Sequence, residues 1–202
     1  MWIVEVILGV VMFISNSFTL WLTNLFVAPF TNYSIFKILV PVYITLVVTQ
    51  LFQEKKGTSR GNAMSNAAIA LWGGIDFVIM TMKNGFDNSE IPKIVIASVI
   101  ILYGLYIIVE GFLGSEIIKY VGRVREVSYF IIIFAPLYYT NATLSLEYIF
   151  GAVVFFYVYY RVVRLLDRIV PTPEVLITDI KEAAQVSLPD ENQIKEKVVS
   201  KK

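Results

Sequence analysis

Six apolar stretches occupy most of residues 2–165, and the Lys and Arg residues between them gather at alternate gaps. This pattern constrains the fold more than any single motif does. A helix of about 20 apolar residues is what a bilayer's hydrocarbon core requires. In that solvent only helices and closed barrels satisfy every backbone N–H and C=O. The stretches at 2–27, 34–52, 63–82, 93–113, 127–140 and 146–165 predict an all-α, polytopic integral membrane helix bundle. Short connections are those of a compact bundle.

Charge sets the expected orientation. Lys55, Lys56 and Arg60 follow the second stretch, Lys119, Arg123 and Arg125 follow the fourth, and Arg161, Arg164 and Arg168 close the sixth. The other gaps carry little: Lys83, with Lys37 and Lys93 at span edges. Basic residues favour the cytoplasmic side. The fifth stretch is short and holds Pro136, so by length alone it also reads as a re-entrant segment. The three basic sites share one side only if it crosses. The expectation is therefore six transmembrane helices with both termini cytoplasmic, in the cell membrane. The apolar run from Trp2 has no basic residue before it, so it reads as a retained span rather than a leader. Two domains are expected: a membrane domain at 1–168 and a cytoplasmic tail at 169–202.

Composition excludes several kinds of chemistry. The chain has no cysteine and no histidine, which removes thiolates, imidazole ligands and the commonest general base. No metal or cofactor is expected. Net charge is +1, too small for a nucleic-acid partner. The expected partners are the lipid bilayer and other membrane subunits, or further copies of the chain.

Polar residues inside apolar spans are the candidate functional groups. On the third span Asn62, Asn66, Gly73 and Asp76 are spaced by 4, 7 and 3, which places them within an arc of roughly 80°. Ala70 and Gly74 form a small-xxx-small pair beside them. An ionised carboxylate in mid-span costs at least about 2.5–3.5 kcal/mol, so Asp76 marks either an ion path or an internally paired group. The first span has a polar centre of Ser15, Asn16, Ser17 and Thr19, followed by Asn24. The fourth carries Ala97, Gly104 and Gly111 at seven-residue spacing, a packing seam, with Glu110 near its cytoplasmic end. Asn32 and Asn141 head Asn-x-Ser/Thr sequons in predicted external gaps, where glycosylation would fall.

The tail changes character. Thr172 and Pro173 suit a helix start, and Leu176, Ile180 and Ala183 give residues 173–186 a modest apolar face for docking. Residues 8–16, Leu-Gly-Val-Val-Met-Phe-Ile-Ser-Asn, resemble the first span of the small six-helix amide and urea channels. The size and span number are similar to those of vitamin-uptake substrate-binding subunits. The last span has no Glu-Gly pair and the first no Ala-xxx-Ala motif, so no residue role is carried over. The expected function is that of a non-catalytic subunit of a membrane assembly. The alternative is a small channel or transporter that uses the polar stripe of the third helix.

Overall fold

The computed structural model describes residues 2–54, 57–85, 87–140 and 142–170. The chain divides into one unit at Met1–Ile169 and a second at Val170–Lys202. The helix expected at 173–186 lies outside the described residues. Among those described, the protein is all helical. Five helical stretches are long and apolar enough to cross a membrane: Trp2–Phe30, Tyr33–Gln53, Arg60–Lys83, Asn88–Phe112 and Leu146–Ile169.

The helices are α1 (Trp2–Leu22), α2 (Tyr33–Val48), α3 (Arg60–Lys83), α4 (Ile91–Phe112), α5 (Ile118–Val121), α6 (Val124–Phe134), α7 (Pro136–Tyr139), α8 (Leu146–Val154) and α9 (Phe156–Ile169). Several starts are fixed by side chains that accept an otherwise orphaned N–H. The Ile35 N–H donates to Asn32 at 3.0 Å, that of Asn62 to Ser59 at 3.1 Å, and that of Tyr148 to Ser145 at 3.2 Å. Single π turns widen the ends of α1 (Thr23–Val27) and α2 (Thr49–Gln53).

α3 and α4 form the tightest pair. A Cβ placed on Gly104 would meet the Leu71 backbone nitrogen at 2.8 Å and the Ala67 carbonyl at 2.9 Å. One placed on Gly74 would meet the Ala97 carbonyl at 3.1 Å. Small residues on both helices let the backbones touch, and dispersion contacts follow. The seven-residue series Ala97, Gly104, Gly111 lies along this contact.

The fifth apolar stretch is the centre of the bundle. α6 and α7 follow one another through Ala135, and residues 124–139 rise about 24 Å. Val124, Val127, Tyr129, Ile131, Ile132, Ile133, Ala135 and Leu137 are all buried. A helix that is apolar all round is one with neighbours all round. α2, α3 and α9 pack on it, as does the π turn after α1. Its two ends meet opposite ends of α3. At the first, Asn66 donates to the Gly122 carbonyl at 2.9 Å. At the second, Asn84 donates to the Tyr138 carbonyl at 3.4 Å. The central helix therefore runs alongside α3 and in the same direction. It is shorter than its neighbours, which is why length alone left it ambiguous.

Tyrosines pin the surrounding helices to this centre. Trp21 donates to the Tyr129 hydroxyl at 3.0 Å, which donates to the Ala152 carbonyl at 2.6 Å. Tyr148 donates to the Ile133 carbonyl, and Tyr159 to that of Arg125. α1 crosses α8 where a Cβ on Gly151 would lie 2.7 Å from the Ser17 carbonyl. Phe13 meets Phe150 and Trp21 meets Phe155, so contacts advance in the same sense along both helices. At this contact the two helices therefore run in the same sense. Residues 2–12, before it, are exposed throughout.

Candidate functional site

The buried and half-buried polar groups form two clusters, one at each end of the central helix. At the first, Glu54 leaves the end of α2 and turns inward, only 4% exposed. Its carboxylate accepts from the Val124 N–H at 3.0 Å and from Asn66 at 2.7 Å. α6 begins without a side-chain cap of its own, so Glu54 supplies one from a distant part of the chain. A carboxylate there also complements the helix's positive end. Burial pushes the Glu54 carboxyl above its ordinary range, while hydrogen bonds from Val124, Asn66 and Thr58 and the charge of Arg123 oppose the shift. One acid thus joins α2, α3 and α6.

A second buried group begins at the next residue of α6. Arg125 is 6% exposed, bonds Glu126 at 2.8 Å and stacks on Tyr160 with its guanidinium carbon 4.3 Å from the ring centre. Gln50, also buried, donates to Asp167 at 2.8 Å and ties α2 to α9. By sequence, Arg125 is one of the charges in a basic gap. In the structure the first turn of α6 carries it inward, and the planar cation finds both an acid and an aromatic face.

The other end is built round Asp76. Tyr139, the last residue of α7, donates its hydroxyl to the Asp76 carboxylate. Lys83 and Lys37 lie within electrostatic reach of it. Phe77 stacks on Tyr138 at 4.2 Å, and Tyr138 donates to the Lys93 carbonyl at 2.7 Å. Asp76 is half-buried and lines a cleft of about 440 Å³ with Tyr33, Ser34, Lys37, Lys83 and Tyr139.

Asp76 and Asn66 share a face of α3, but ten residues separate them by about 15 Å of helix rise. The space between is apolar. Ile69 lies there, and a Cβ on Gly73 would sit 2.5 Å from the end of the Ile131 side chain. No hydrogen bond joins any two of Asp76, Asn66, Asn62, Asn16 and Glu110 among the described residues. Asn62 is half-buried beside Ser59, and Glu110 is half-buried near the end of α4. Asn32, besides capping α2, donates its amide to the Tyr139 carbonyl at 3.0 Å, so a glycan on that nitrogen would share it with this contact. Asn141 lies outside the described residues.

α1 divides its polar residues between two faces. Ser17 and Asn24 turn into the bundle with Trp21. Glu5, Gly9, Met12, Asn16, Thr19 and Thr23 are all exposed. At about 100° per residue these six fall within roughly 80°, centred some 120° round the helix from the buried face. They form two interleaved seven-residue series, 5-12-19 and 9-16-23. The Asn16 amide makes no hydrogen bond among the described residues.

Glu54, Tyr139 and the burial of Arg125 were not foreseen. Glu54 precedes Lys55 and Lys56 and so reads as part of a solvated loop; Tyr139 reads as an interfacial ring. No local pattern distinguishes them, because their partners lie 70 and 63 residues away. Comparison with known protein families, with curated proteins and with solved structures finds no match for this chain.

Proposed function

We infer that the protein is a non-catalytic integral membrane subunit of a larger assembly in the cell membrane. In this reading six helices cross the bilayer, the central α6–α7 among them, and both termini face the cytoplasm; the same-sense contact of α1 with α8 stands against it, since the first and last of six spans run in opposite directions. The uncovered polar face of α1 is the observation that carries it. Polar side chains within a span are rare on lipid-facing surfaces and usually meet protein. Glu5, Asn16, Thr19 and Thr23 are exposed among the described residues of a single chain. The seven-residue spacing suits a second helix crossing at about 20°, as in most membrane bundles. Gln50, Glu54, Asn66 and Asp76 are engaged in ties between helices, which suits a structural role.

The channel or transporter reading rests on the Asp76 cleft with its two lysines. Against it stands the apolar layer of Ile69, Gly73 and Ile131, which separates that cleft from Asn66.

Disulfide or thiol cross-linking in native membranes distinguishes the readings, because the chain has no cysteine of its own. Cross-links to a partner polypeptide or a second copy are expected from Gly9→Cys and Met12→Cys. Few are expected from Ile7→Cys and Val11→Cys, which lie at least about 80° beyond the edges of the stripe. Equal yields at all four positions, or none at any, would remove the support for an assembly through α1. Flux in proteoliposomes that Asp76→Asn abolishes would establish the transport reading instead.

A further inference from the structure

α2 and α3 do not close on each other. Both lean on the central helix, and the groove between them opens sideways. Its upper part is the Asp76 cleft. Its lower part is a second cavity of about 440 Å³, lined by Ile38, Pro41, Val42, Ala68, Ile69 and Ile131. The two parts share Lys37, Ile38, Trp72 and Gly73, so they form one continuous feature that is polar at the mouth and apolar below. Along α2 it runs from Tyr33 to Thr45, about 18 Å at 1.5 Å per residue. That is the depth of one leaflet rather than of the whole bilayer.

The mouth has a distinctive set of charges. Lys37 and Lys83 are exposed cations, and between their reaches lies one acid, Asp76, fixed on one oxygen by Tyr139. The other Asp76 oxygen has no hydrogen-bond partner among the described residues. Tyr33 stands exposed beside the mouth, as amphipathic rings do at headgroup depth, and Trp72 is exposed deeper, where the two parts of the groove meet. The fit is to an amphiphile with three parts. A phosphate meets the lysines, an ammonium with N–H donors meets Asp76, and an acyl chain lies along Ile38, Val42 and Ile69. We propose that the α2–α3 groove binds one glycerophospholipid bearing a primary-amine, phosphoethanolamine-type headgroup. The acid sets the selectivity. A phosphocholine headgroup has no N–H to give it, and a phosphoglycerol headgroup offers no cation.

This site does not depend on the subunit reading, since its lining comes from α2, α3, α6 and α7 and includes no residue of α1. Native mass spectrometry of the full chain, after exchange into phosphoethanolamine, phosphocholine or phosphoglycerol lipids of equal chain length, tests it. The expected result is at least a tenfold preference for one phosphoethanolamine lipid over either of the others. Asp76→Asn should reduce that preference to less than threefold and leave the overall fold intact. Lys37→Gln with Lys83→Gln should weaken retention of every phospholipid. Equal retention of the three lipids by the unaltered protein, or a preference that survives Asp76→Asn, would overturn the assignment. If Asp76→Asn fails to fold, Ile69→Trp, which fills the apolar part, gives an independent reading: it should expel the bound lipid, and continued retention would also overturn it.

Discussion

Gly104→Leu is expected to abolish the folded bundle, and Gly104→Ala to destabilise it by about 3 kcal/mol or more, the upper end of overpacking effects. The added Cβ meets backbone atoms of α3, at 2.8 Å from the Leu71 nitrogen and 2.9 Å from the Ala67 carbonyl. Backbone cannot rotate out of the way as a side chain can, so α3 and α4 must separate. Gly111, seven residues on, gives the contrast. There a Cβ would meet the Cγ and sulfur of Met64 at 2.5 and 2.6 Å. Methionine has several low-energy conformers and can yield, so Gly111→Ala should cost less than about 1 kcal/mol. Thermal unfolding in detergent reads both. Equal losses at the two glycines would show that α3–α4 packing is looser than the close approach implies.

The second large effect is expected at Glu54. Glu54→Ala strips the buried Val124 N–H of its acceptor and removes a negative charge from the start of α6. An orphaned buried donor costs about 1–3 kcal/mol. Glu54→Gln keeps one acceptor and the same shape, so its loss should be smaller. The two variants also differ from the parent in pH response. Burial holds the Glu54 carboxyl above its ordinary value of 4.5 in the folded chain. The folded state then keeps its proton at pH values where the unfolded state has released it. The stabilisation from this shift is complete below the unfolded value and disappears as pH rises through the folded one. Unfolding in detergent from pH 4 upward should show that decline in the parent and not in Glu54→Gln. An identical decline in the variant would assign it to another group.

The positions of the helices were legible because a bilayer demands apolar length, and apolar length is visible in one dimension. The central place of 124–139 was not legible in that way. A short, mostly apolar helix reads alike whether it lies at a surface or at the centre, and only its neighbours decide. The polar residues of α3 read as one face, yet a helical wheel discards depth, so Asn66 and Asp76 looked like one site when they lie at the two ends of the central helix. On α1 the angles separate Asn16 from Ser17, but which of them turns inward is fixed by Gly151 and Tyr129, more than 100 residues away. Glu54 and Arg125 were hidden by their company, since charges among charges read as solvated. The channel-like run at 8–16 lies mostly before the α8 crossing, where α1 has no neighbour to give those residues a local role.

The most direct test of a six-crossing bundle with a dry centre is labelling of single cysteines by a membrane-impermeant thiol reagent in sealed cells. Asn88→Cys, Ser115→Cys and Thr143→Cys mark three connections, and Ile69→Cys marks the apolar layer between the two polar clusters. The expected result is labelling from outside at 88 and 143 only, with 115 labelled after the membrane is opened and 69 protected throughout. Labelling of 115 and 143 from the same side would mean that the central helix does not cross. Labelling of 69 by the water-soluble reagent would mean that water passes where the bundle is held to be sealed.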